Sequence, residues 1–114
     1  MARFARAARA GDGIRGRCNI PIHTKHHHCP HRNSGRCNGE SPNVFINGLS
    51  AQREGDGVTF AGCQHGGYGK SIDGSASVFV NGRAAVRIKD AVNCTNCAQI
   101  MYVIEGSNNV FIGD

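Results

Sequence analysis

The chain has 114 residues, enough for one domain with a modest core and too few for two. Only 39% of residues are hydrophobic, none is Trp, and the 16 glycines follow no Gly-X-Y period, which excludes collagen and implies a turn-rich fold around a thin core. The formal charge of +5 suits an acidic partner, nucleic acid or plain solubility, and no apolar run approaches the roughly 20 residues of a membrane helix.

The first residues, "MARFARAARAGD", carry the charge of a signal's opening region without the apolar segment that follows it in a signal peptide. Export by that route is not expected, and synthesis in the cytoplasm is. Residues 23–37 then read "HTKHHHCPHRNSGRC", five histidines and two cysteines in fifteen residues. Six cysteines could form a disulfide framework, but beside six histidines and without a signal they favour metal.

Residues 41–56, "SPNVFINGLSAQREGD", and 75–90, "SASVFVNGRAAVRIKD", are two copies of one unit offset by 34 residues. A third copy is split between the ends: "GSNNVFIGD" (106–114) supplies its first half and "RAARAGD" (6–12) its second. In each intact copy a strand-forming Val-Phe-Ile or Val-Phe-Val runs into Asn-Gly, the signature of a two-residue type I′ hairpin. The return strands run from Leu49 to Arg53 and from Arg83 to Ile88. No segment keeps a 3.6-residue apolar period over ten residues, so the chain reads as all-β.

If residues 6–12 pair with 108–114, the halves make a third hairpin and three like hairpins surround one axis. Val44, Ile46, Val78, Val80, Val110 and Ile112 are expected to line that axis, with Phe45, Phe79 and Phe111 covering the other face. The recurring Asp12, Asp56 and Asp90 fit turn chemistry. The turns Asn47-Gly48 and Asn81-Gly82 share one end of this scaffold and are the expected partner-binding positions.

The segments after each Asp leave the opposite end and read as loops. The first (13–40) carries Cys18, His23, His26, His27, His28, Cys29, His31 and Cys37; the second (57–74) carries Cys63 and His65; the third (91–105) carries Cys94 and Cys97. Zinc takes thiolate and neutral imidazole ligands. A metal joining the loops would supply folding energy that such polar segments lack. No nucleophile elbow, paired carboxylates or phosphate cradle accompanies these residues, so no enzyme is expected. A small zinc-binding nucleic-acid module is the alternative, but the aromatic residues are few and do not interleave with basic ones.

The segments "NGLSAQREGD", "NGRAAVRIKD" and "RAARAGD", with the strands before each Asn-Gly, resemble the PAAR-repeat family across almost the whole chain. The resemblance implies a single conical β domain over residues 1–114, three pseudo-threefold hairpins with metal-stapled loops at the apex. It implies one structural zinc (Zn2+) per chain, carried over to His28, His31, His65 and Cys94. It also implies a monomeric, non-enzymatic spike tip of a contractile injection machine, either a type VI secretion system or a phage tail. One tip would cap one trimeric spike, a valine-glycine-repeat (VgrG-like) or phage protein, touching the target membrane transiently and no nucleic acid. Gln52 and Lys89 depart from the family pattern, the first loop is long, and the second has one His.

Overall fold

The computed structural model describes residues 4–18, 31–60, 68–94 and 100–114. They form twelve strands and no helix: β1 (Ala5–Arg6), β2 (Gly13–Cys18), β3 (His31–Cys37), β4 (Phe45–Ile46), β5 (Leu49–Ser50), β6 (Gly57–Phe60), β7 (Tyr68–Ser71), β8 (Phe79–Val80), β9 (Arg83–Ala84), β10 (Ala91–Cys94), β11 (Ile100–Val103) and β12 (Phe111–Ile112). The all-β reading holds.

Three two-stranded units, β4-β5, β8-β9 and β1-β12, make one layer. The third joins the two ends of the chain, with Ala5 opposite Ile112 and Arg6 opposite Phe111. In the first two, Asn47 and Asn81 have φ of 54° and 53° and Gly48 and Gly82 have φ of 80° and 78°, the paired left-handed residues of a type I′ turn. Their pleat buries Ile46, Val80 and Ile112 with Ala7, Ala51 and Ala85, while Val44 and Val110 pack on the edge. Val78, expected on the axis, departs from this pattern and is exposed. Phe45, Phe79 and Phe111 point outward, each more than half exposed (58%, 59% and 53%).

The segments read as loops are not loops throughout. They supply three further hairpins, β2-β3, β6-β7 and β10-β11, which close into one six-stranded barrel in the order β10-β11-β2-β3-β6-β7. Alternation explains the barrel: along β2, β7 and β11, Arg15, Arg17, Tyr68, Lys70, Ile100 and Tyr102 face out while Ile14, Ser71, Met101 and Val103 face in. Val58, Phe60, Val92 and Cys94 complete an interior that Ala8 and Val86 floor from the hairpin layer. Each large apolar side chain so buried contributes on the order of 1.5–3 kcal/mol. The strands approach closely where glycine allows it: a Cβ on Gly69 would lie 1.8 Å from the Asn93 carbonyl oxygen.

Between the layers, the middle residues of the three repeats meet in a ring of main-chain hydrogen bonds. Ala8 N–H donates to Val86 C=O (2.9 Å), Val86 N–H to Gln52 C=O (3.1 Å), and Gln52 N–H to Ala8 C=O (3.0 Å). Bridges Ala7–Arg87, Arg9–Ala51 and Arg53–Ala85 surround it. The chain thereby ties its first, middle and last thirds at one point. Gln52, fully buried, is satisfied there: its Nε2 donates to Asp56 C=O, Gly57 C=O and Ser71 Oγ, and its Oε1 accepts Gly39 N–H. Departure from the family pattern at this position is thus a complete polar link rather than a void. The other departure, Lys89, holds φ 78° at the turn position where Gly11 and Gly55 stand in the other repeats.

Candidate functional site

Each repeat carries a chain of polar contacts from its closing turn to a neighbouring hairpin. Asp12, Asp56 and Asp90 each accept, on Oδ2, the backbone N–H and the Nε–H of the arginine three residues earlier (Arg9, Arg53, Arg87) and, on Oδ1, its Nη2–H. This is a turn closed by main chain and side chain together, with a forked pair that only Arg supplies. Arg53 and Asp56 are the most buried, and Arg83 adds a further ion pair to Asp56 at 3.1 Å. Hydrogen bonding to the aspartates holds all three guanidinium groups above their ordinary pKa, against the opposing pull of burial.

The free Nη1 of each arginine reaches the turn of a hairpin: Arg9 to Asn47 Oδ1 (3.0 Å), Arg53 to Asn81 Oδ1 (3.2 Å), and Arg87 to the Gly113 carbonyl (2.9 Å). The same three acceptors receive Ser107, Ser41 and Ser75 hydroxyls, and each serine in turn accepts the N–H of the valine that leads its own strand. Asn47 and Asn81 also donate to Asn109 and Asn43. The expected partner-binding residues therefore have a structural duty as well. Their side chains hold the hairpin ends in a rigid triangle around the exposed phenylalanines, while nothing lies within 4 Å of where a Cβ would stand on Gly48 or Gly82. The serines were not singled out from the sequence, although each stands three residues before Val44, Val78 or Val110.

At the other end of the barrel the expected metal ligands are only partly in view. His28 and His65 lie outside the described residues, as do His23, His26, His27, Cys29, Cys63 and Cys97. His31 opens β3, its backbone opposite Cys18. Cys94 ends β10 opposite Gly69, is buried, and is disulfide-bonded to a sulfur that is not among the described side chains. Antiparallel pairing sets the described ends Cys18 and His31 opposite each other across β2 and β3, and Cys94 opposite Gly69 across β10 and β7. Among the described residues no three of His, Cys, Asp or Glu gather into a group that could hold a metal.

A profile of the PAAR motif matches residues 62–114, which span the second intact copy (75–90), the segment after it and the C-terminal strand. This segment carries a PAAR motif. No curated protein matches the chain. The Arg87–Asp90 turn inside the match has the same donors and acceptors as Arg53–Asp56 and Arg9–Asp12 outside it, so this closing turn is built three times.

One cysteine of the first PAAR loop is removed from the soft-ligand group by its position. Cys37 sits at the far end of β3 from His31, its N–H bonded to Asp12 C=O and its thiol buried and unpaired in the barrel. Burial, reinforced by the charges of Asp12 and Asp56, pushes its pKa up from 9.0 to about 12. Below pH 9 the thiol is protonated in both folded and unfolded chains and contributes no pH dependence. Between these values the unfolded chain releases the proton and the folded one keeps it, so stability falls as pH rises, by roughly 1.4 kcal/mol per pH unit. Urea titrations across that window are expected to show the fall in the native sequence and a shallower one in Cys37→Ala; equal slopes would refute the assignment.

Proposed function

We propose that the chain is a spike tip of a contractile injection machine: a structural, non-enzymatic domain that caps a trimeric β-helical spike and carries the force of puncture. The PAAR motif supports the tip reading. The observation that carries the capping role is the threefold array of exposed Phe45, Phe79 and Phe111, held by three equivalent Arg–Asp–turn clamps on one chain. A single copy of such a base fits a true threefold surface. Burial of on the order of 1,600 Å² in total would make that contact specific.

Native mass spectrometry of the chain mixed with the spike trimer of its own genome tests this. One copy per trimer is expected. Three copies per trimer, or no complex with a verified cognate trimer, would sink the capping role. Bulky substitutions at Gly48 or Gly82 are expected to weaken binding, because they strain a positive-φ turn at the contact face. Charge reversal in the first loop is expected to leave it intact.

The same reading assigns one zinc to His28, His31, His65 and Cys94. Zinc would cross-link the segments that carry them and blunt nothing of the base. Cys94 ligates only as thiolate, so loading requires its disulfide to be reduced. Elemental analysis of chelator-washed, reduced protein is expected to give close to one zinc per chain, and less after oxidation. Finding none in the reduced protein would overturn the ligand set, and iron in its place would change the ligand chemistry but keep the architecture.

A further inference from the structure

The barrel wall formed by β11, β2 and β3 carries an unusual set of outward residues. Across it Tyr102 stands opposite Arg15 and Arg15 opposite Ser34, while Gly13 stands opposite Arg36 and Arg36 opposite Thr59. Gly13 contributes no side chain to its row, and a hollow of about 380 Å³ opens there between Ile104 and Glu105 on one side and Arg36 and Thr59 on the other. The space is not a packing error to be filled: a Cβ on Gly13 would come within 2.6 Å of Glu105 Oε1, which instead accepts the Gly13 N–H at 2.7 Å.

The charge around the hollow is unbalanced. Arg9, Arg53, Arg83 and Arg87 spend their charge on the turn aspartates. Among the described residues Arg15 and Arg17, both exposed, have no hydrogen-bond or ion-pair partner, and Arg36 donates only to the Gly11 carbonyl. Glu105, the acid at the hollow, accepts the Gly13 N–H and keeps its charge, so the three arginines outnumber it. Arg15 and Arg36 thus line the recess beside Ile104, and Arg17 with the exposed Tyr102 flanks the groove that adjoins it.

We propose that this wall binds an extended acidic peptide segment of a partner protein, with carboxylates on Arg15, Arg17 and Arg36 and an apolar side chain in the hollow. The barrel is closed, so the partner cannot add a strand and must be held by side chains. A bilayer surface does not enter a recess walled on both sides. A nucleic-acid backbone calls for a longer basic stripe with stacking rings than these three arginines provide. The wall is separate from the phenylalanine base, so a passenger could ride there while the base is occupied, and the proposal stands or falls independently of spike capping.

Titration of the isotope-labelled full chain with a short capped peptide, one leucine between runs of glutamate, tests it by amide chemical shifts. Shifts are expected along β2, β3 and β11, with affinity that falls as salt is raised. The double variant R15E/R17E breaks no hydrogen bond among the described residues and is expected to weaken binding at least about tenfold, with melting unchanged. R36E alone is expected to weaken it as well. Shifts confined to the base, no shifts at all, or equal affinity in R15E/R17E would overturn the proposal. So would a single-stranded oligonucleotide or vesicles of phosphatidylglycerol moving these amides when the peptide does not.

Discussion

Asp56→Ala is expected to be the most damaging single substitution in the molecule, costing about 3–5 kcal/mol. The carboxylate is fully buried and accepts four hydrogen bonds, three from Arg53 and one from Arg83. Without it, the Arg53 guanidinium remains buried with its charge uncompensated, and the Arg53 N–H loses its acceptor. The damage spreads, because Arg53 also holds Asn81 at the tip of the next hairpin. Asp12→Ala and Asp90→Ala break the same turn where the arginine is more exposed, 16% and 14% against 9%, and are expected to cost less. Chemical denaturation of the three variants checks both size and order. Equal losses at all three sites would show that burial of the pair does not control the cost.

Removing residues 1–10 is expected to abolish cooperative folding, not to trim a tail. The segment supplies β1, the edge partner of β12, and one third of the main-chain ring. Its loss strips acceptors from the N–H groups of Gln52, Ile88 and Ser107, of which Gln52 and Ser107 are buried, and takes Arg9 from Asp12 and Asn47. Each buried donor left unsatisfied costs about 1–3 kcal/mol, and the sum competes with the about 5–15 kcal/mol that holds a domain together. A truncated chain that melts like the complete one by circular dichroism would show that the layer does not depend on its split hairpin.

The hairpin layer was legible in the sequence because its signals are local and repeated. Asn-Gly fixes both turns, the offset of 34 residues aligns Val44 with Val78, and the split copy in residues 106–114 and 6–12 points to pairing of the two ends, although the strands that pair are shorter and begin one residue earlier, at Ala5–Arg6 against Phe111–Ile112. The barrel was not legible. Its strands are short, and β2 ("GIRGRC") and β3 ("HRNSGRC") place Gly and polar residues where an apolar pattern would announce a strand. Their stability comes from closure, in which each strand finds neighbours far away in sequence; Tyr102 with Arg15 is one such pair. The period-two run Ile14-Arg15-Gly16-Arg17 and the β-forming Ile100-Met101-Tyr102-Val103 were the available hints. The aspartates were correctly read as turn residues, but the reach of each arginine to another hairpin required three-dimensional neighbours. Cys37 shows the converse limit: grouped by chain segment it looks like a ligand, and only its place in β3 assigns it to the core.

The pairing of β1 with β12 makes one of the three hairpins from segments far apart in the chain. By register, Gly113-Asp114 stand where Asn47-Gly48 and Asn81-Gly82 stand in the other two hairpins, and no peptide bond links them to the strand they pair with. Joining the ends through Asn-Gly and cutting at either existing turn would yield circular permutants with the same contacts in a different chain order. Such permutants share their native interactions and differ in which hairpin is sequence-local and which must be closed last. Their stabilities should therefore converge while their folding rates separate according to contact order.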